Sequence, residues 1–141
     1  MMKHTNDRLR SYSMPRVTLT ALDHERLSGL ARAALRTMPD VAANLADELD
    51  RADVLPKGRQ PIDVVSMGYE VEFRDESTGR TQKVTLVYPS EADIEQGKIS
   101  VLTPVGTALI GLSTGTSITW ETRTGQLKRL TVLAVRELAP A

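Results

Sequence analysis

The sequence predicts an α+β protein in which two one-faced helices precede a β-sheet. Apolar residues recur at helical spacing between residues 20 and 52, whereas β-branched residues alternate with polar ones after residue 63. Two prolines and a glycine fall within the ten residues VLPKGRQPID at 54–63, which indicates a linker. We therefore divide the 141 residues into a flexible N-terminus (1–15), a helical hairpin arm (16–55), a linker (56–62) and a sheet domain (63–141).

The first helix is predicted to begin after Thr20 and to fade near Thr37. The Thr20 hydroxyl can accept a hydrogen bond from the backbone N–H of Asp23, and acidic residues in the first turn suit the positive end of the helix dipole. At 100° per residue, the apolar side chains that share one stripe are Leu27, Leu30, Ala31 and Ala34.

A second helix is predicted to begin at Pro39, because proline suits the first position of a helix and disfavours helix in the residue before it. Its apolar stripe consists of Val41, Ala42, Leu45, Leu49 and Ala52. Two such helices joined by a short turn are expected to pack as an antiparallel hairpin, a short coiled coil.

At a rise of about 1.5 Å per residue, the hairpin would form an arm roughly 20 to 25 Å long. Its tip would consist of Met38, Pro39, Asp40 and Val41. If this arm projects from the sheet domain, its seam is a separate core, and we expect it to be the least stable part of the protein. The alternative is an arm that folds back onto the sheet.

The sheet domain is predicted to contain five strands and one short helix. The first strand is the clearest, because Tyr69, Val71 and Phe73 alternate with charged residues. The short helix has a capping residue at Thr103 and a proline at its first position. The predicted strands span residues 69–74, 82–88, 99–102, 118–122 and 127–136, and the short helix spans 103–111.

The composition argues against several classes of function. Eighteen Lys and Arg balance eighteen Asp and Glu, which disfavours autonomous binding of nucleic acid. The absence of cysteine fits a reducing compartment, so a cytoplasmic location is expected. No stretch approaches the roughly 18 apolar residues of a membrane span, and no hydrophobic region follows the basic start of the chain. We expect no association with membranes.

Groups suited to catalysis are few. The chain has two histidines, His4 and His24, and lacks the HExxH, GxSxG and phosphate-loop patterns. Trp120, the single tryptophan, is expected to anchor a core or an interface. We expect a non-enzyme without catalytic residues, metal or cofactor. The densest acidic cluster consists of Asp47, Glu48, Asp50 and Asp53. We interpret it as a solvated helix face, in which Asp47 can pair with Arg51, rather than as a cation site.

Several short motifs resemble those of bacterial Gre transcript-cleavage factors. Residues 99–101 (ISV), 103–104 (TP), 108–111 (ALIG) and a strand with a tryptophan occur in the order of the Gre C-terminal domain. The segments LADELDRA, TLVYP and ALIGL, at 45–52, 85–89 and 108–112, are similar to the regulator of nucleoside diphosphate kinase family, a relative of the Gre factors. The resemblance spans roughly residues 16–138.

The resemblance implies an FKBP-type antiparallel sheet that docks on RNA polymerase beside its secondary channel, with the hairpin directed inward. The isomerase activity of FKBP proteins does not transfer, because that chemistry uses an aromatic pocket and this chain has one Trp, one Phe and three Tyr. The Gre docking region corresponds here to Thr103, Pro104, Thr107, Leu109 and Ile110. For Leu109 and Ile110, the alternative to docking is burial in the core.

The sequence departs from the Gre pattern at the arm. Gre factors have a longer coiled coil whose tip presents two acidic residues that help to bind a catalytic magnesium ion, whereas this tip has Asp40 alone. The resemblance therefore implies a monomeric regulator that occupies the polymerase site without stimulating transcript cleavage and that affects nucleoside diphosphate kinase levels. The alternatives are a dimerising protein-interaction module and a weak cleavage factor that uses Asp40.

Overall fold

The computed structural model describes residues 14–138 and confirms the α+β class. The predicted N-terminal segment lies outside the described residues, apart from Met14 and Pro15. The described helices are α1 (Ala21–Ala34), α2 (Pro39–Asp50) and α3 (Pro104–Leu109). The described strands are β1 (Thr18–Leu19), β2 (Asp53–Val54), β3 (Glu70–Asp75), β4 (Thr81–Val87), β5 (Lys98–Ser100), β6 (Ser117–Glu121) and β7 (Leu127–Arg136).

The helical half begins as its capping signals predict. The Thr20 hydroxyl accepts a hydrogen bond of 3.0 Å from the backbone N–H of Asp23, and α2 begins at Pro39. The start of α1 lies beside the end of α2, because Nε2 of His24 is 3.1 Å from the carbonyl oxygen of Leu49. The buried side chains of the two helices are mostly those of the predicted stripes: Leu27, Ala31, Ala34, Val41, Ala42, Leu45 and Leu49.

A short parallel strand pair closes the base of the hairpin. Strands β1 and β2 flank the two helices and pair with each other. The N–H of Asp53 donates to the carbonyl of Val17 at 2.8 Å, and the N–H of Leu55 donates to that of Leu19 at 2.9 Å. The chain therefore enters and leaves the helical half at the same place.

The five-stranded sheet has the order β5-β4-β3-β7-β6 and is mixed. Three neighbouring pairs are antiparallel, but β5 runs parallel to β4, so the prediction of a wholly antiparallel sheet is wrong at this edge. A tight hairpin after β4 would have reversed the chain. Instead, residues 88–97 contain two 3₁₀ turns, Pro89–Glu91 and Ile94–Gln96, and return the chain to the level of Thr85, so that β5 runs beside the last three residues of β4.

The helical half and the sheet domain meet at Gly111. The N–H of Gly111 donates to the carbonyl of Val65 at 2.9 Å, and its own carbonyl accepts from the N–H of Thr18 at 3.0 Å. Gly111 has φ +79°, and a Cβ there would overlap Cγ1 of Val17. Only glycine fits this position, because other residues strain at positive φ and carry a Cβ.

The buried side chains of the hairpin and of the sheet domain form one continuous core. Leu27 and Leu45 of the hairpin belong to the same cluster as Leu109 of α3, and α2 packs directly on α3. The expectation of a separate core in a projecting arm is therefore wrong. Periodicity identified the buried face of each helix but could not show which further surface covers it.

We predict that Leu45→Ala destabilises the whole molecule, because the Leu45 side chain is 0% exposed in this shared core. Loss of a buried leucine side chain costs about 2 to 5 kcal/mol. In urea denaturation, far-UV circular dichroism of the helices and fluorescence of Trp120 in the sheet domain should change in one transition at a lower midpoint.

The matched control is Leu35→Ala, since Leu35 lies in the turn after α1 and is 50% exposed. This variant should change the free energy of unfolding by no more than about 0.5 kcal/mol. Separate transitions for the helical signal and for Trp120 would show two cores and contradict the prediction.

Candidate functional site

The predicted tip of the hairpin divides into exposed and buried residues. Pro39 and Asp40 are exposed, whereas Met38 is half-buried and Val41 is buried. Two exposed arginines, Arg32 and Arg36, lie in the last turn of α1 and in the connecting turn. This end of the hairpin therefore carries two guanidinium groups and one carboxylate, a poor combination for a divalent cation.

The part of the chain that the structure describes contains neither a cluster suited to a metal ion nor a helix suited to a membrane. Within residues 14–138, no three His, Asp or Glu side chains are arranged to hold a metal ion. In the same part of the chain, no helix has both the length and the apolar character needed to cross a membrane. The candidate functional surfaces are therefore the tip and the region around α3.

The start of α3 is a partly exposed corner of the sheet domain. Thr103 and Pro104 are both half-buried there. The Thr103 hydroxyl accepts a hydrogen bond of 3.0 Å from the N–H of Gly106 and donates one of 2.8 Å to the carbonyl of Ser100. Thr103 thus caps α3 as predicted, and Pro104 follows it as a partly exposed residue at the start of the helix.

The other three predicted docking residues belong to the core. Thr107 is 4% exposed, and its hydroxyl donates to the carbonyl of Val101 at 2.8 Å. Leu109 and Ile110 are fully buried. The prediction that these three side chains contact a partner is wrong, and the alternative of core packing holds for Leu109 and Ile110.

A groove lies between α2, α3 and β6, beside the partly exposed start of α3. We call it the α2–α3–β6 groove. Trp120 is half-buried and lines this groove while packing against the core, in agreement with its predicted role as an anchor. The apolar lining includes Pro104, Ala108, Ile118 and Trp120, and the charged lining consists of Asp47, Glu48, Arg51 and Glu121.

Glu48 is a buried carboxylate in the wall of this groove. It is 7% exposed, and its Oε2 accepts a hydrogen bond of 2.8 Å from Nη2 of Arg51. Burial raises the pKa of Glu48, although the positive charge of Arg51 opposes this shift. The interpretation of the acidic cluster as a solvated face is therefore wrong at Glu48, which is buried and is itself a partner of Arg51.

Sequence reasoning did not find the α2–α3–β6 groove. Its walls come from three elements that are far apart along the chain, and each element looks ordinary by itself. The signal that could have indicated it is the position of Glu48, which lies between Leu45 and Leu49 on the apolar side of α2. A charged residue so close to a buried stripe needs either solvent or a partner.

Two sequence families match the chain in succession. Residues 15–55 match the family described as Rnk N-terminus, and residues 60–137 match the family described as transcription elongation factor, GreA/GreB, C-term. The boundary between the two matches falls in the predicted linker. The helical half and the sheet domain therefore each match a known sequence family.

Individual relatives agree with these matches. The chain is 39% identical over 121 residues to the regulator of nucleoside diphosphate kinase of Escherichia coli strain K12, covering 86% of this chain and 89% of that protein. It is 37% identical over 76 residues to the transcription elongation factor GreA of Nitrobacter winogradskyi, covering 54% of this chain and 48% of that protein. Among solved structures, the prokaryotic transcription elongation factor GreA/GreB from Nitrosomonas europaea is 38% identical with a TM-score of 0.67, covering 86% of this chain and 98% of that one.

We predict that the buried carboxyl of Glu48 lowers stability as the pH rises. Its pKa in the folded protein is raised above the ordinary 4.5, so the folded state keeps the proton where the unfolded state releases it. The free energy of unfolding of the wild type, minus that of Glu48→Gln, should therefore fall as the pH rises from the ordinary pKa through the raised one. Urea denaturation between about pH 4 and about pH 7 measures this difference.

The matched control is Glu25→Gln, which removes an exposed carboxylate from α1. The change with pH should be larger for Glu48→Gln than for this control. A difference that instead grows with pH would show that the ion pair with Arg51 outweighs the cost of burial.

Proposed function

We propose that this regulatory protein acts by binding RNA polymerase, because the chain belongs to the Gre-like family that includes the regulator of nucleoside diphosphate kinase. The proposed site is the secondary-channel region, with the hairpin directed inward and the sheet domain docked beside the channel. The protein would occupy this site in the cytoplasm as a monomer, without cofactor and without catalysing a reaction. By doing so it would compete with Gre factors that stimulate transcript cleavage.

The charge at the hairpin tip carries the argument against cleavage. Residues 35–41 contain one carboxylate, that of Asp40, and exposed Arg32 and Arg36 lie near it in sequence. Holding a second catalytic Mg²⁺ takes more than one positioned carboxylate, because the ion otherwise keeps its waters. Nearby guanidinium groups lower the local concentration of cations further.

The length of the hairpin supports the same proposal. Helices α1 and α2 have 14 and 12 residues, which corresponds to roughly 20 Å each at 1.5 Å per residue. The Gre factors that the sequence resembles have a longer coiled coil. A shorter arm can block entry to a channel without delivering a side chain to its end.

The proposed docking surface is the exposed start of α3 with the neighbouring edge of the α2–α3–β6 groove. Pro104 lines this groove and is half-buried, and Trp120 provides a large apolar side chain next to it. Apolar and aromatic side chains that remain partly exposed are typical anchors of protein interfaces. The buried residues Thr107, Leu109 and Ile110 would support this corner from below rather than contact polymerase.

The link to nucleoside diphosphate kinase would be indirect. One relative is named as a regulator of that enzyme, and a protein that alters transcription can change enzyme levels without touching the enzyme. For this chain, we propose an effect on the amount of the kinase. Direct binding of the kinase to the purified protein would contradict it.

We predict that the wild-type protein inhibits Gre-stimulated cleavage of backtracked transcripts and does not stimulate cleavage itself. Asp40→Ala should inhibit as well as the wild type, because the proposed role does not use this carboxylate. Asp50→Ala, which removes an exposed carboxylate from the other end of α2, is the matched control. Cleavage by the wild type that is lost in Asp40→Ala would establish the protein as a cleavage factor instead.

We predict that Pro104→Glu weakens retention of RNA polymerase on the immobilised protein by about tenfold, equivalent to roughly 1.4 kcal/mol. Glutamate is compatible with the first turn of a helix, so α3 should persist. The matched control is Pro56→Glu at an exposed position of the linker, which should retain polymerase like the wild type. Equal retention by both variants would remove α3 from the docking surface, and a wild type that retains no polymerase would overturn the proposed function.

A further inference from the structure

Strand β6 is an edge strand of the described sheet, and the α2–α3–β6 groove runs beside it. Four consecutive residues of the strand, 118–121, line the groove. Because successive side chains of a strand point to opposite faces, a groove against one face would be lined by alternate residues. The groove therefore follows the edge of β6, where backbone N–H and carbonyl groups point.

The register with β7 shows which backbone groups of β6 face this edge. The N–H of Val132 donates to the carbonyl of Thr116 at 2.9 Å, just before β6 begins. Hydrogen-bonded and non-hydrogen-bonded pairs alternate along an antiparallel ladder. Ile118 and Trp120 therefore bond to β7 through their backbones, and the residues between them direct their N–H and carbonyl groups away from it.

Ser117 and Thr119 are two of these outward-facing residues. Within residues 14–138, the outward N–H and carbonyl groups of both have no backbone partner. Both residues are half-buried, so the groups are partly shielded from water but still accessible. A strand edge with unpaired N–H and carbonyl groups is a template for pairing with another extended chain.

The opposite wall of the groove belongs to α2. Asn44, Asp47 and Glu48 line it and lie three and four residues apart, on one face of the helix. Asn44 is half-buried, and its carboxamide makes no hydrogen bond in the part of the chain that the structure describes. A carboxamide has the donor and the acceptor of a peptide group. Both walls thus offer hydrogen bonds to an extended backbone, and the helix leaves room for one chain rather than for a second sheet.

The apolar lining indicates which side chains suit such a chain. Ile118 and Trp120 share one face of β6, and Pro104 and Ala108 of α3 lie beside the same groove. In an added strand, every second side chain would lie next to this face, where an apolar side chain would cover the half-buried Trp120. The segment that fits is extended and apolar at alternate positions.

We propose that an extended segment of RNA polymerase adds to β6 as a sixth strand of the sheet. This inference rests on the proposed function, because Pro104, the proposed docking residue, lines the same groove. The backbone of the segment pairs with the outward groups of Ser117 and Thr119, and its alternate side chains cover Trp120. In this mode of recognition, main-chain hydrogen bonds supply affinity and alternate side chains supply specificity.

Hydrogen exchange of the full chain, alone and bound to RNA polymerase, tests the pairing at single amides. In the free protein, the amides of Ser117 and Thr119 should exchange fast, whereas those of Ile118 and Trp120 should be protected by β7. Binding of polymerase should slow the exchange of Ser117 and Thr119 by at least about tenfold. Unchanged exchange at both amides in the complex would overturn the proposal.

Thr119→Pro removes the outward N–H and leaves the neighbouring pairs with β7 in place. Proline is compatible with an edge strand where its missing N–H would face outward. This variant should retain about tenfold less RNA polymerase, because a hydrogen bond within the added pairing is lost. Thr119→Val keeps the N–H and should retain more polymerase than Thr119→Pro. Equal retention by these two variants would overturn the backbone pairing.

The matched control for the introduction of a proline is Gln60→Pro at an exposed position of the linker. It should retain polymerase like the wild type. Far-UV circular dichroism shows whether both proline variants fold. If Thr119→Pro does not fold, the exchange of Ser117 and Thr119 in the wild-type complex decides the question.

The outcomes separate this proposal from the proposed function. Retention of polymerase by the wild type that is weakened in Pro104→Glu, without protection of Ser117 and Thr119, would refute strand addition alone. A wild type that retains no polymerase would refute both. Protection that appears without polymerase as the protein concentration rises would assign the edge to a second copy and overturn the proposed partner.

Discussion

The closure around Gly111 is the constraint on which the rest of the structure depends. Its N–H donates to the carbonyl of Val65 at 2.9 Å, and its carbonyl accepts from the N–H of Thr18 at 3.0 Å. Its φ is +79°, and its lack of a Cβ leaves room for the side chain of Val17. These hydrogen bonds fix the base of the hairpin against the sheet domain. With the base fixed there, α2 packs on α3 and the two halves share one core. The same packing forms the α2–α3–β6 groove.

Features set by neighbours in sequence were predicted well. The cap at Thr20, the helix start at Pro39 and the alternation through Val71 and Phe73 depend on a few adjacent residues, and all three were confirmed. Features set by contacts between distant segments were not predicted. The parallel direction of β5 and the single core depend on which segments pack against each other, and periodicity contains no information about such long-range contacts.

The candidate site shows the same division in a sharper form. The segment 103–111 lies within the region that matches the GreA/GreB C-terminal family, but such a match does not separate residues that pack in the core from residues that contact a partner. Thr107 looks like a surface residue by type, yet its hydroxyl satisfies the carbonyl of Val101 at 2.8 Å within the core. Glu48 was assigned to solvent because it is charged. Its position beside the apolar stripe of α2 indicates that it needs solvent or a partner, but not that α3 and β6 lie next to it.

The shared core also bears on how a short arm could work. A hairpin with its own small core would fluctuate independently, and ordering it inside a channel would cost conformational entropy. Here Leu27 and Leu45 are buried together with Leu109 of α3, so the direction of the hairpin is fixed by the sheet domain before any partner is met. Under the proposed function, docking of the sheet domain therefore orients the tip without further ordering. The arm then acts through its bulk and its position, which is consistent with a tip that has one carboxylate, that of Asp40, rather than a magnesium-binding pair.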